Sequence, residues 1–138
     1  MFSPKRPADP HTLLPLTPVV LHILLALAEG RGDETGGKHG YAVAQEVETM
    51  TEGQIRMGPG TLYGSIQRLL TAGLIEEVAR NKGAARVSRS SHAAEEERRR
   101  YYRLTAIGQQ ALELELARLA RVVVVARSKQ LLPAPEPA

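Results

Sequence analysis

The side chains best placed for chemistry in this chain are hydrogen-bond donors and cations rather than nucleophiles. Gly60, Thr61, Tyr63, Gly64, Gln67 and Arg68 fall on the side of a helix predicted through Ala72 that faces away from its apolar stripe of Leu62, Ile66, Leu69 and Leu70. Small and polar residues on that side admit a close neighbour, and the free N–H groups and positive dipole end of the first turn favour an anion. Further along stand Lys82, Arg86 and Arg89. Residues 1–75 carry a net charge of −1, residues 76–103 carry +3 and residues 104–138 carry +1, so the positive excess begins after the middle of the chain. Local basicity of this kind points to a phosphate-rich partner. A solvated loop is the plain alternative for the same three cations, as an internal ion pair is for Arg68 and packing against the hairpin is for Tyr63.

Other chemistries are excluded by what is missing. With no Cys there is no disulfide, thiolate nucleophile, zinc finger or iron–sulfur cluster, which suits a reducing cytoplasm. His11, His22, His39 and His92 show no pairing at ligand spacing, so no metal site is expected; His39 reads as a cap or backbone contact. There is no Ser nucleophile elbow, no Gly-rich phosphate loop ahead of Lys-Ser/Thr, and no cluster of acids with His. The chain therefore reads as a non-enzyme that needs no cofactor. Arg31-Gly32-Asp33 matches an adhesive tripeptide, a reading set aside for a Cys-free chain without a secretion signal.

The elements that must hold the donor face in place come next. At 138 residues with 43% hydrophobic and 24% charged content, the chain can build one core and a solvated surface. The best apolar stretch, Leu13 to Ala28, is broken by Pro15, Thr17, Pro18 and His22, so no membrane span is expected. Pro4, Pro7, Pro10 and Pro15 mark residues 1–15 as an extended or disordered arm, and residues 133–138 read as a similar tail. Thr17-Pro18 opens a first helix that runs to Glu29 and stops at Gly30, with Val20, Ile23, Leu24 and Leu27 on its apolar face. A Gly-rich loop over 30–38 leads to a second helix from about His39 to Met50. Its lining side is Tyr41, Val43, Ala44 and Val47. The third helix begins at Pro59-Gly60-Thr61 and stops at Gly73.

Leu74 to Arg80 and Arg99 to Thr105 read as the two strands of a hairpin around a long basic loop; of Tyr101 and Tyr102, one must face the core. Thr105 caps a last helix reaching Leu132, in which Leu112, Leu116, Leu119 and Val123 form an a/d seam. Four consecutive valines, 122–125, favour a strand locally, but flanking Arg and Lys and the lack of a turn signal favour the helix. A seam that long finds no cover in a core this small, so a second chain is expected on it. The fold class is mainly α with a small β-hairpin: a winged helix-turn-helix domain over 16–105 and a long C-terminal dimerisation helix over 106–132.

Three blocks in this order resemble one family. They are Gly40-Tyr41-Ala42-Val43; Gly58-Pro59-Gly60-Thr61-Leu62-Tyr63 with Arg68-Leu69 and Gly73-Leu74-Ile75; and Arg99 to Thr105 with Ile107-Gly108. Together they resemble the PadR-type transcriptional regulators, in the compact branch with a single terminal helix. The resemblance implies a homodimeric winged-helix repressor on an inverted-repeat operator in double-stranded DNA, often released by a small molecule. With Tyr41 from the first block, the DNA-facing set is Tyr41, Gly60, Thr61, Tyr63, Gly64, Gln67, Arg68, Lys82, Arg86 and Arg89. Gly64 stands where the family commonly has Pro, and Gln67 where Lys is frequent. Leu119 occupies the place of a drug-stacking Trp known in some relatives, which argues against a planar aromatic ligand. The competing function is a dimeric winged-helix module that binds a protein or a small hydrophobe instead of specific DNA.

Overall fold

A computed structural model describes residues 9–28, 38–78 and 100–135. Four helices and three short strands are present among them: α1 Pro18–Leu27, β1 Lys38–His39, α2 Gly40–Met50, α3 Pro59–Ala72, β2 Ile75–Val78, β3 Tyr101–Leu104 and α4 Ala106–Ser128. Residues 30–37 of the Gly-rich loop, and Lys82, Arg86 and Arg89, lie outside the described residues.

Capping follows the sequence closely. The Thr17 hydroxyl accepts from Val20 N–H ahead of Pro18, and the Thr105 hydroxyl accepts from Gly108 N–H. Gly73 closes α3 in the left-handed conformation, φ 81°, with Leu74 N–H donating back to Leu69 C=O. Two ends differ from the expectation. α1 stops at Leu27, short of Gly30, where the Lys38 ammonium donates to Ala26 C=O at 2.8 Å and to the Glu46 carboxylate. A cation on the last carbonyls of a helix offsets both the orphan acceptors and the dipole. α4 stops at Ser128 and not at Leu132, because Gln130 takes φ 62° and Leu131 N–H bonds back to Ala126 C=O. Here a glutamine fills the left-handed position that glycine usually takes.

The sheet has the order β1-β3-β2, antiparallel throughout. The hairpin expected from sequence is thus extended by a third strand, Lys38–His39, where the loop was expected to run on. Tyr102 is the tyrosine that faces the core, while Tyr101 meets His39 edge-on with ring centroids 5.4 Å apart. His39 also caps α2, its Nδ1 accepting from Ala42 N–H.

One core joins these elements: Ile23, Leu24 and Leu27 of α1, Val43 and Val47 of α2, Leu62, Ile66 and Leu69 of α3, Leu74, Ile75 and Tyr102 at the sheet, and Ala111 and Leu112 of α4. Leu112 is therefore spent within its own chain, not in a seam toward a partner as the heptad spacing suggested. The first turns of α4 pack on their own head. Gly108 lies so near β2 that a Cβ there would stand 2.0 Å from Leu74 O. The proline-rich arm also differs from expectation. Pro10–Leu13 forms a single 3-10 turn capped by the Asp9 carboxylate, this turn packs on α4, and Leu13 and Leu16 pack against the core. At the other end, residues 133–135 are described, and Arg127 Nε donates to Pro133 C=O.

Candidate nucleic-acid interface

The α2–α3 pair forms the helix-turn-helix. Thr51 organises its turn: the hydroxyl donates to Val47 C=O and accepts from Ile55 N–H, and Glu52 and Gly53 take positive φ. The turn delivers Gly58, which caps α3 without a side-chain hydrogen bond, followed by Pro59, which has no N–H. Gly58, Pro59, Gly60 and Thr61 are exposed, and a Cβ added at Gly58 or Gly60 would have open space within 4 Å. The N-terminus of α3 is consequently a bare, solvent-facing donor end.

Along the same helix Gln67 and Arg68 are exposed and Gly64 is half-buried, so this part of the expected face is presented outward. The Arg68 guanidinium folds back over Gly64, with Nη1 3.9 Å from where a Cβ would be. Tyr41 on α2 is 57% exposed, which takes it off the lining side shared by Val43, Ala44 and Val47. Tyr63 is different. It is half-buried, and its ring and hydroxyl reach within 3.0 Å of a Cβ position at Gly40. The ring packs on the first residue of α2, and it is Gly40 that makes room for it.

At the hairpin base the visible cations are already matched. Arg103 Nε lies 2.7 Å from Glu76 across the β2–β3 register, and Arg100 Nε lies 3.5 Å from Glu77. These are exposed pairs and contribute little to stability. They also leave the hairpin base close to neutral.

Past its first three turns, α4 leaves the body of its own chain. Leu116 is 38% exposed, Val122 51%, Val124 64% and Val125 51%; Leu119 and Val123 are half-buried. Four consecutive valines are spread at about 100° intervals around one helical turn, so that turn is apolar on every side. The last buried residue is charged. Glu115 is 1% exposed and accepts from Arg118 Nε at 2.8 Å, Arg118 Nη2 at 2.9 Å and Leu16 N–H at 3.3 Å. The Arg118 bonds hold its carboxyl below the ordinary range against the opposing effect of burial, with the Leu16 N–H assisting. Heptad counting gave no sign of this residue, because the group that covers it comes from far away in sequence.

No cluster of three or more His, Asp or Glu suited to a metal occurs among the described residues, and no described helix is long and apolar enough to cross a membrane. A depression lined by Arg127, Ser128, Leu131, Leu132 and Pro133 sits at the end of α4 and includes none of the α2 or α3 residues above.

Three helices, a small antiparallel sheet and an exposed recognition helix define a winged-helix DNA-binding protein. The model of the "Transcriptional regulator PadR-like family" matches residues 33–114. The chain belongs to that family, whose members act on transcription by binding DNA. Among solved structures, it is similar to a PadR family transcription regulator from hypervirulent Clostridium difficile, at 21% identity and a TM-score of 0.54 over 80% of this chain and 95% of that one. It is also similar to a transcriptional regulator from Clostridium thermocellum, at 20% identity and a TM-score of 0.50 over 80% of this chain and 88% of that one. No curated protein matches.

Proposed function

We propose that the protein is a cytoplasmic, homodimeric repressor that binds an inverted-repeat operator near the promoter it controls and is released by a small molecule. The observation that carries the DNA reading is the bare N-terminus of α3 above an outward face of Gly60, Thr61, Gly64, Gln67 and Arg68. A helix presented in this way suits the major groove, with its free N–H groups toward a phosphate and its polar side chains toward base edges. Tyr41 supplies a flanking contact from α2. Lys82, Arg86 and Arg89 supply phosphate contacts from the wing. Tyr63 contributes by positioning α3 against α2. The dimer forms through α4, on Leu116, Leu119 and Val123 with the exposed valines around them.

The test is a binding series on a random duplex pool at rising salt, followed by selection of the bound sequences. Affinity should fall linearly on a log–log plot against salt, and the selected sequences should contain inverted half-sites about 34 Å apart. Gln67→Ala and Arg68→Ala should each change the selected sequence and cost about 1–3 kcal/mol on the parent site. Neutralising Lys82, Arg86 and Arg89 together should weaken all duplexes alike and reduce the salt slope. Binding that ignores salt and selects nothing would favour the module that binds a protein or a small hydrophobe.

A further inference from the structure

α4 is held to its own head by its buried first turns, Gly108, Ala111 and Leu112 among them, and beyond these by Glu115, which has no counterpart in the DNA-binding reading. Gly108 lies against Leu74, beside the bond from Thr105 N–H to Leu74 C=O. The Glu115 carboxylate takes the N–H of Leu16. Leu16 immediately precedes Thr17, the cap of α1, so this bond joins the root of the first head helix to α4. Arg118 grips the same carboxylate with two nitrogens and fixes its orientation. Beyond Glu115, no residue of α4 is buried within its own chain.

We infer that Glu115 is a positioning residue for operator binding: it sets the angle between the winged-helix head and the helix through which the two copies pair. This rests on the proposed α4 dimer. The argument is one of levers. Gly108 and Glu115 are seven residues apart, about 10 Å along the axis, and the free part of α4 from Leu116 to Ser128 is about 20 Å long. Slack of 1 Å at Glu115 therefore turns α4 by about 6° and, over the roughly 30 Å from Gly108 to Ser128, moves its free end by about 3 Å. In a two-fold pair the error enters twice, giving about 6 Å between the two recognition helices. Half-sites at a fixed spacing of about 34 Å tolerate little of that. Glu115 touches no DNA in this scheme and acts through Leu16 and Arg118 alone.

The absence of Cys makes the test direct, since one introduced Cys labels one site per protomer. Thr71→Cys, exposed near the end of α3, carries a spin label, and dipolar spectroscopy on the full chain reads the distance between the two labels. In the otherwise unchanged protein the distribution should be narrow. Glu115→Gln and Arg118→Gln should each broaden or shift it by about 6 Å. Glu113→Gln, an exposed acid of the same helix, should leave it unchanged. Glu115→Gln keeps the shape of the buried side chain and Arg118 is 43% exposed, and circular dichroism on each variant checks that the head is folded before distances are read. Equally narrow, unshifted distributions in both variants would overturn the inference while leaving the dimer standing. No dipolar coupling in any sample would overturn the dimer, and the inference with it.

Discussion

Gly108→Ala sets two well-characterised effects against each other with opposite signs. Replacing Gly by Ala inside a helix ordinarily stabilises by about 1 kcal/mol. At position 108 the new methyl would stand 2.0 Å from Leu74 O and 3.0 Å from Leu74 C, both backbone atoms that no rotamer change can move aside. Reaching an ordinary contact requires α4 and the start of β2 to part by about 1.4 Å. That stretches the 3.1 Å bond from Thr105 N–H to Leu74 C=O and the 2.6 Å bond from the Thr105 hydroxyl to Gly73 C=O beyond hydrogen-bonding range. Two lost hydrogen bonds cost about 2 kcal/mol, and unseating Leu74, Ala111 and Leu112 from the core adds about 1–3 kcal/mol. After the helix-propensity gain, the net is about 3 kcal/mol of destabilisation. Urea unfolding followed by circular dichroism, at matched protein concentration, should show a midpoint lowered by roughly 1–3 M for a typical slope. Gly64→Ala is the internal control. Its nearest neighbour is the flexible Arg68 Nη1 at 3.9 Å, so the same chemical change should raise stability by about 1 kcal/mol. If both substitutions stabilise, the close approach of α4 to Leu74 is not a feature of the folded protein.

Acid should act through Glu115. Its folded-state carboxyl lies below the ordinary range, so the unfolded chain binds the proton more readily, and the contribution present at neutral pH should disappear as pH falls through and below about 4; Glu115→Gln should be less stable at neutral pH and show a flatter acid limb, and an unchanged limb would remove Glu115 from the account. Leu119→Glu or Val123→Glu should convert the sedimenting species to the 15.0 kDa protomer, whereas a persisting dimer would place the interface elsewhere. Residues 112–125 contain no aromatic ring, so a flat aromatic cation has none of the 0.5–2 kcal/mol per ring available from stacking and cation–π contact (typical values); calorimetry with such a dye should show no stoichiometric binding, and one dye per dimer in competition with DNA would refute that. Gly40→Ala should tilt α3 by pressing on Tyr63, lowering stability and operator affinity together, and an affinity unchanged at reduced stability would separate Tyr63 from the positioning of α3.

The parts of the fold that were readable from sequence are those decided by neighbours in the chain. Thr17-Pro18, Gly73 and Thr105 each specify a helix end within one turn, and the alternation at Tyr101-Tyr102 requires one buried ring without saying which. What was not readable depends on distant segments. β1 is two residues long and exists because Tyr101 and Tyr102 of β3 pair with it. Glu115 has the spacing of a solvent-facing heptad position, yet Leu16, 99 residues earlier, donates to its carboxylate, and the turn ahead of Leu16 packs on α4. The same packing takes Leu112 into the head, which moves the free part of α4 one turn along. Gln130 at a helix end carries none of the composition that marks Gly or Asn there. The donor face of α3 was legible because a helix with one apolar stripe leaves the remainder outward. Tyr63 shows the limit of that rule, since a large ring half on the outward side found a glycine on the adjoining helix.

Lys38 has a consequence for how this protein tolerates change. Its ammonium joins Ala26 C=O to the Glu46 carboxylate, and its backbone pairs with β3, so the chain is fixed at Ala26 and again at Lys38 irrespective of the residues between. An insertion between Ala28 and Lys38 should therefore leave both anchors in place. For an engineer, this is the place to graft an epitope or a fluorescent reporter. For a lineage of related regulators, it is where length can drift without disturbing the helix that faces DNA.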